Sequence, residues 1–101
     1  MNSGVVCAAV GDELHCLRVD DTGRVCHRVR FANGNWTKWG RLAQDGFESV
    51  SACGVVGVLH VVAVNGAGIV FHAIRNEDGS WSGFNQMPDQ PLTDPFEDLS
   101  G

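Results

Sequence analysis

Residues 58–84 read VLHVVAVNGAGIVFHAIRNEDGSWSGF, and residues 13–39 read ELHCLRVDDTGRVCHRVRFANGNWTKW. Set one above the other, the two stretches repeat at a constant offset of 45: Leu14-His15 becomes Leu59-His60, His27 becomes His72, Arg30 becomes Arg75, Gly34 becomes Gly79 and Trp36 becomes Trp81. A period of this length, filled with β-branched runs and turn residues, marks a propeller blade or a similar array. A repeat unit of that kind cannot bury its apolar faces alone. Two units cannot close a ring, so the repeat predicts a protein that works as an assembly.

Within each copy the sequence predicts four short strands. In the first they span 5–10, 14–19, 24–31 and 36–42; in the second, 49–53, 58–64, 69–75 and 81–87. Asp20-Asp21-Thr22-Gly23, Asn33-Gly34-Asn35, Asn65-Gly66-Ala67-Gly68 and Asn76 to Ser80 punctuate them, as hairpin turns do. No window has helical periodicity of useful length. In the second copy both alternating sets are apolar, Leu59, Val61 and Ala63 on one face and Val62 and Val64 beside His60 on the other. Strands covered on both sides read this way. The fold class expected is all-β: two four-stranded antiparallel blades per chain, 1–46 and 47–95, completing a β-propeller by homo-oligomerisation. Three chains giving six blades is the favoured count. Phe96-Glu97 and Leu99-Ser100 echo Phe47-Glu48 and Val50-Ser51, so 96–101 is expected to open a third repeat or to pair as an inter-subunit strand.

Bulk properties narrow the function. A chain of 101 residues holds one small domain at most, and 44% hydrophobic content argues against disorder. A net charge of −5 and the acidic stretch with Asp94, Glu97 and Asp98 argue against a nucleic-acid partner. No apolar run is long and charge-poor enough for membrane insertion. Met1-Asn2-Ser3 lacks the basic start of a signal peptide, so a cytoplasmic or non-classically exported protein is expected. Cys16 and Cys26 give way to Val61 and Phe71 in the second copy, as buried apolar positions would, and Cys7 aligns with Cys53 if the following turn has one residue of slack. Four reduced thiols are expected, in a reducing or an indifferent compartment.

The signature Leu59 to Val61, Phe71-His72, Arg75 and Gly79 to Phe84, with Gly34-Asn35-Trp36-Thr37-Lys38-Trp39 in the first copy, resembles the blades of bacterial fucose-binding β-propeller lectins. The two-repeat layout is similar to the short members of that family, in which three chains build a six-bladed ring. The resemblance implies non-catalytic glycan binding at blade junctions. It departs where the short lectins carry a sugar-gripping Arg and Glu: those positions fall near Cys16 and Val61, and near His27 and His72. A chain of this kind resembles more the longer propeller lectins, whose pockets lean on aromatic walls.

Candidate ligand-binding residues follow. Trp36 and Trp81, with Trp39 and Phe84 beside them, could stack on a sugar face or pack blade against blade. Arg30 and Arg75 could hold vicinal hydroxyls or a carboxylate of the next blade. His27 and His72 stand behind these as further ligand-binding candidates. As metal ligands, His15, His27, His60 and His72 fit no zinc spacing and read better as hydrogen-bonding residues within a blade, so no metal and no cofactor are expected. Glu48 and Glu97 are not placed as a glycosidase pair, and no nucleophile elbow or phosphate loop is present; the chain is not expected to be an enzyme. Multivalent glycan recognition leads, fucose being the sugar the resemblance suggests. A scaffold or protein-interaction propeller, or a self-assembling piece of a longer propeller, natural or engineered, is the alternative.

Overall fold

The computed structural model describes residues 4–88. They form eight strands: β1 (Val6–Val10), β2 (Glu13–Val19), β3 (Val25–Arg30), β4 (Gly40–Arg41), β5 (Phe47–Val55), β6 (Val58–Asn65), β7 (Val70–Arg75) and β8 (Asn85–Gln86). They make two four-stranded antiparallel sheets in sequence order, β1-β2-β3-β4 and β5-β6-β7-β8. The strands at 96–101 anticipated from the sequence lie outside the described residues.

The turns explain why the chain reverses where it does. Asp20 Oδ1 accepts the N–H groups of Thr22 (2.9 Å) and Arg24 (3.1 Å), and Asn65 Oδ1 accepts those of Ala67 (3.0 Å) and Ile69 (2.9 Å). Asn33 and Asp78 do the same for Asn35 and Ser80, each at 2.9 Å. Short Asx side chains thus replace water at backbone donors that a turn would leave unpaired.

The fourth strands are shorter than the sequence suggests. Trp36 and Trp81 make single bridges to Arg30 and Arg75, and the ladder then breaks until Gly40 and Asn85. At the break a hydroxyl stands in for the missing carbonyl: Thr37 Oγ1 accepts the N–H of Val29, and Ser82 Oγ that of Ile74, each at 2.9 Å. The innermost hairpins correct one alignment. Cys7 pairs with Cys16 and Ala52 with Val61, so Cys7 corresponds to Ala52 rather than to Cys53, and no residue of slack is needed.

The sheets pack face to face. Ala8, Leu17, Val19 and Val25 of the first share a core with Phe47, Leu59, Val61 and Ala63 of the second. Leu17, Val25, Val61 and Ala63 are completely buried. Strand alternation puts His15, Leu17 and Val19 on one side of β2 and Leu14, Cys16 and Arg18 on the other. In β6 the buried set is Leu59, Val61 and Ala63, the counterparts of Leu14, Cys16 and Arg18. The front of one sheet therefore meets the back of the next. β5 presses on β1 at Gly54, where a Cβ would overlap the Ala9 carbonyl oxygen. The linker is tied down by the Phe47 N–H, which donates to the Gly23 carbonyl at 2.9 Å.

Candidate functional site

Where the sheets diverge they leave an open cleft of about 470 Å³. Arg41, Leu42, Ala43 and Gln44 form one wall, and Ala73, Trp81, Gly83 and Phe84 the other. Ala73 is small and buried, which gives the cleft its depth. Trp81 is anchored by its bridge to Arg75. Phe84 leans on Phe47 with ring centroids 4.7 Å apart, and Phe47 meets Phe71 edge-on at 5.5 Å. Two aromatic rings thus stand along a mostly apolar slot whose lining, among the described residues, holds no carboxylate.

The first repeat presents the matching wall on its outer face, away from the second sheet. Trp36 and Trp39 are 46% and 41% exposed. The Arg28 guanidinium lies over both rings, 4.6 Å from the Trp36 centroid and 5.5 Å from that of Trp39. Arg28 occupies the position that Ala73 holds in the second copy.

The histidines pair within sheets. His15 Nδ1 lies 2.8 Å from His27 Nε2, and His60 Nδ1 lies 3.0 Å from His72 Nε2. In the first sheet the chain extends to Glu13, whose Oε1 is 3.0 Å from His15 Nε2. The second sheet has Val58 there. His15 is completely buried. Burial pushes its pKa down, against the pull of Glu13. Burial, then the neighbouring His15 and Arg75, push His27 down to about 4. His27 also meets Trp81 edge to face at 5.2 Å, across the sheet junction. His15, Glu13, Leu59 and Arg75 line a second cleft of about 250 Å³ between the hairpin tips.

Arg30 and Arg75 fold back over the turns of their own repeats. A Cβ at Gly34 or Gly79 would stand 3.4 or 3.3 Å from the respective guanidinium nitrogen. Among the described residues neither has a carboxylate in ion-pair distance.

The eight residues singled out from the sequence thus occupy several places. Trp81 and Phe84 share the junction cleft. Trp36 and Trp39 share the outer wall. His27 links His15 to Trp81, His72 pairs with His60, Arg75 joins His15 in the second cleft, and Arg30 covers its turn. Sequence reasoning missed Leu42, which closes the cleft from the first repeat, and Arg28. A search for shared residues passes over Arg28 because the copies differ there. Glu13 was missed for the same reason.

The four cysteines are free thiols, with Cys7 Sγ 3.5 Å from Cys16 Sγ. Among the described residues no group of three or more His, Cys, Asp or Glu is placed to hold a metal ion, and no helix is long and apolar enough to cross a membrane. Comparison of the chain with protein-family models, with curated proteins and with solved structures finds no match.

Proposed function

We propose that this protein is a non-catalytic carbohydrate-binding module, a lectin, whose two sheets are propeller blades and whose chains close by homo-oligomerisation, three copies giving six blades. The observation that carries the reading is the cleft between the sheets, walled by Trp81 and Phe84 and closed by Leu42. Flat aromatic walls suit the C–H faces of a pyranose at small entropic cost, and the cleft is of ligand-binding size. Glycoside hydrolysis uses paired carboxylates, and the lining supplies none.

The outward face of the second sheet supports closure. His60, Val62, Val64 and Ile74 lie half-buried on the side of that sheet turned away from the first. They are the counterparts of His15, Leu17, Val19 and Val29, all buried in the first blade. A second copy offering its Leu14, Cys16 and Arg28 face would cover them by the pairing already used inside the chain. Weak single sites would then be multiplied around a ring.

A scaffold propeller without sugar is favoured by one contact, that of Trp81 with His27, which gives the ring a packing duty. Native mass spectrometry with and without millimolar L-fucose tests both readings. A trimer with several fucose adducts supports the lectin. A closed oligomer without adducts for fucose or a wider sugar panel favours the scaffold, and a monomer overturns self-assembly.

A further inference from the structure

The two repeats present the same wall with different chemistry. In the junction cleft it is Ala73, Trp81, Gly83 and Phe84. One repeat earlier, the same positions are Arg28, Trp36, Lys38 and Trp39. Both aromatic positions stay aromatic, while the two small neutral residues become two cations. We propose that this outer wall is a second sugar subsite, selective for a pyranose that carries an anionic group, a carboxylate or a sulfate.

The proposal rests on the carbohydrate-binding reading above and adds the ligand's charge. Both tryptophans are more than two-fifths exposed in the single chain, and in a closed ring their wall would border the junction between copies as the Trp81 wall borders the junction inside the chain. The Arg28 guanidinium is stacked on them. Stacking uses the face of the guanidinium and leaves its N–H edge to recruit an oxyanion. Arg28 Nε, like Arg18 Nε on the same side of the sheet, is buried with no hydrogen-bond partner among the described residues. Lys38 is exposed and stands between the two tryptophans in sequence. The nearby carboxylate, Asp20, is engaged: its Oδ2 lies 3.2 Å from Arg41 Nε and its Oδ1 accepts from Thr22. The charge distribution points the same way. Residues 1–46 hold six of the seven Lys and Arg and five of the twelve Asp and Glu, a net +1, against −6 for the remainder. The cations of this acidic protein are concentrated in the repeat that carries the pair of exposed rings. Arg paired with a carboxylate or sulfate gives a two-pronged, charge-assisted contact that a neutral sugar cannot match.

The test uses the full chain and the three indole N–H signals of Trp36, Trp39 and Trp81 in a proton–nitrogen NMR spectrum. Methyl glucuronide, methyl glucoside 6-sulfate, neutral methyl glucoside, L-fucose and sodium sulfate are titrated separately. The expected result is that one or both anionic sugars shift Trp36 and Trp39 at concentrations about tenfold lower than methyl glucoside needs; which of them acts identifies the source of the charge. Arg28→Gln and, separately, Lys38→Gln should reduce that preference while leaving the Trp81 signal in place as the sign of an intact fold. Equal response to glucoside and glucuronide, or an effect of sodium sulfate as large as that of the sugars, would overturn the subsite. So would stillness of Trp36 and Trp39 while a neutral sugar moves Trp81, an outcome that leaves the junction site standing. If no sugar moves any of the three, both readings fall.

Discussion

His27 on β3 and Trp81 beyond β7 meet edge to face across the two sheets, with ring centroids 5.2 Å apart and planes at 85°. The contact places a titratable ring inside the junction. His27 is held at about 4 and His15 is also lowered, both first of all by burial. In the unfolded chain they titrate near 6.5, so the unfolded state takes up protons first as pH falls. The stability they contribute is complete above about pH 6.5 and is lost as pH falls toward 4. A loss on the order of 2 kcal/mol over that window is expected in urea titrations at stepped pH. His27→Gln should flatten the profile. Asp20, held at about 2 by its turn hydrogen bonds, acts in a separate window below 3.8.

Gly54 admits no side chain. Its Cβ would overlap the Ala9 carbonyl oxygen, a backbone atom that cannot rotate away. Gly54→Ala should cost about 3 kcal/mol by forcing β5 off β1. Gly40→Ala is the control, since its Cβ would meet the His27 carbonyl oxygen at an ordinary 3.8 Å. Chemical denaturation of both variants checks the difference.

The β5–β6 hairpin turns on Val56 and Gly57, with φ of 48° and 78°. Gly57 adopts this readily, whereas a β-branched residue is strained there, and Val56 is 92% exposed. Val56→Asn supplies the residue such a turn prefers. A gain of about 1 kcal/mol is expected, read as a rise of several degrees in Tm.

Trp36 and Trp81 occupy equivalent positions but unequal surroundings. Trp81 packs against the core, whereas Trp36 is 46% exposed under Arg28. Trp81→Ala should cost about 2–3 kcal/mol and Trp36→Ala less than about 1 kcal/mol. Thermal unfolding of the two single variants measures the gap.

Cys7 and Cys16 face each other across β1 and β2 with their sulfurs 3.5 Å apart. Directly opposed strand positions lie within the span a disulfide accepts. Treatment with oxidised glutathione should link these two and leave Cys26 and Cys53 out of the bridge, as peptide mass mapping would show. The link should stabilise the hairpin by about 2–3 kcal/mol.

Much of the architecture was legible because the repeat states it twice. The β-branched runs became β2, β3, β6 and β7, and the Asx residues at 20, 33, 65 and 78 became turns. The fourth strands were overextended, since periodicity does not reveal that Thr37 and Ser82 hydroxyls would interrupt the ladder. Matching cysteine to cysteine misaligned Cys7, because a residue's type says less than its strand register. At the site, repeated aromatics were visible as text, but that one pair would stand at the junction of the sheets and the other on an outer face was not. Leu42 enters the cleft only through the packing of sheet on sheet.

The meeting of one sheet's front with the next sheet's back has a consequence for symmetry. A chain built this way has two unlike ends, so repeating its own pairing would join the end of one copy to the opposite end of the next. Contacts of that type are directional: they either return on themselves as a cyclic group or run on as a fibre. If copies joined by that pairing, the rotation between the two sheets of a single chain, at the Gly54 contact of β5 with β1, would decide between the two outcomes.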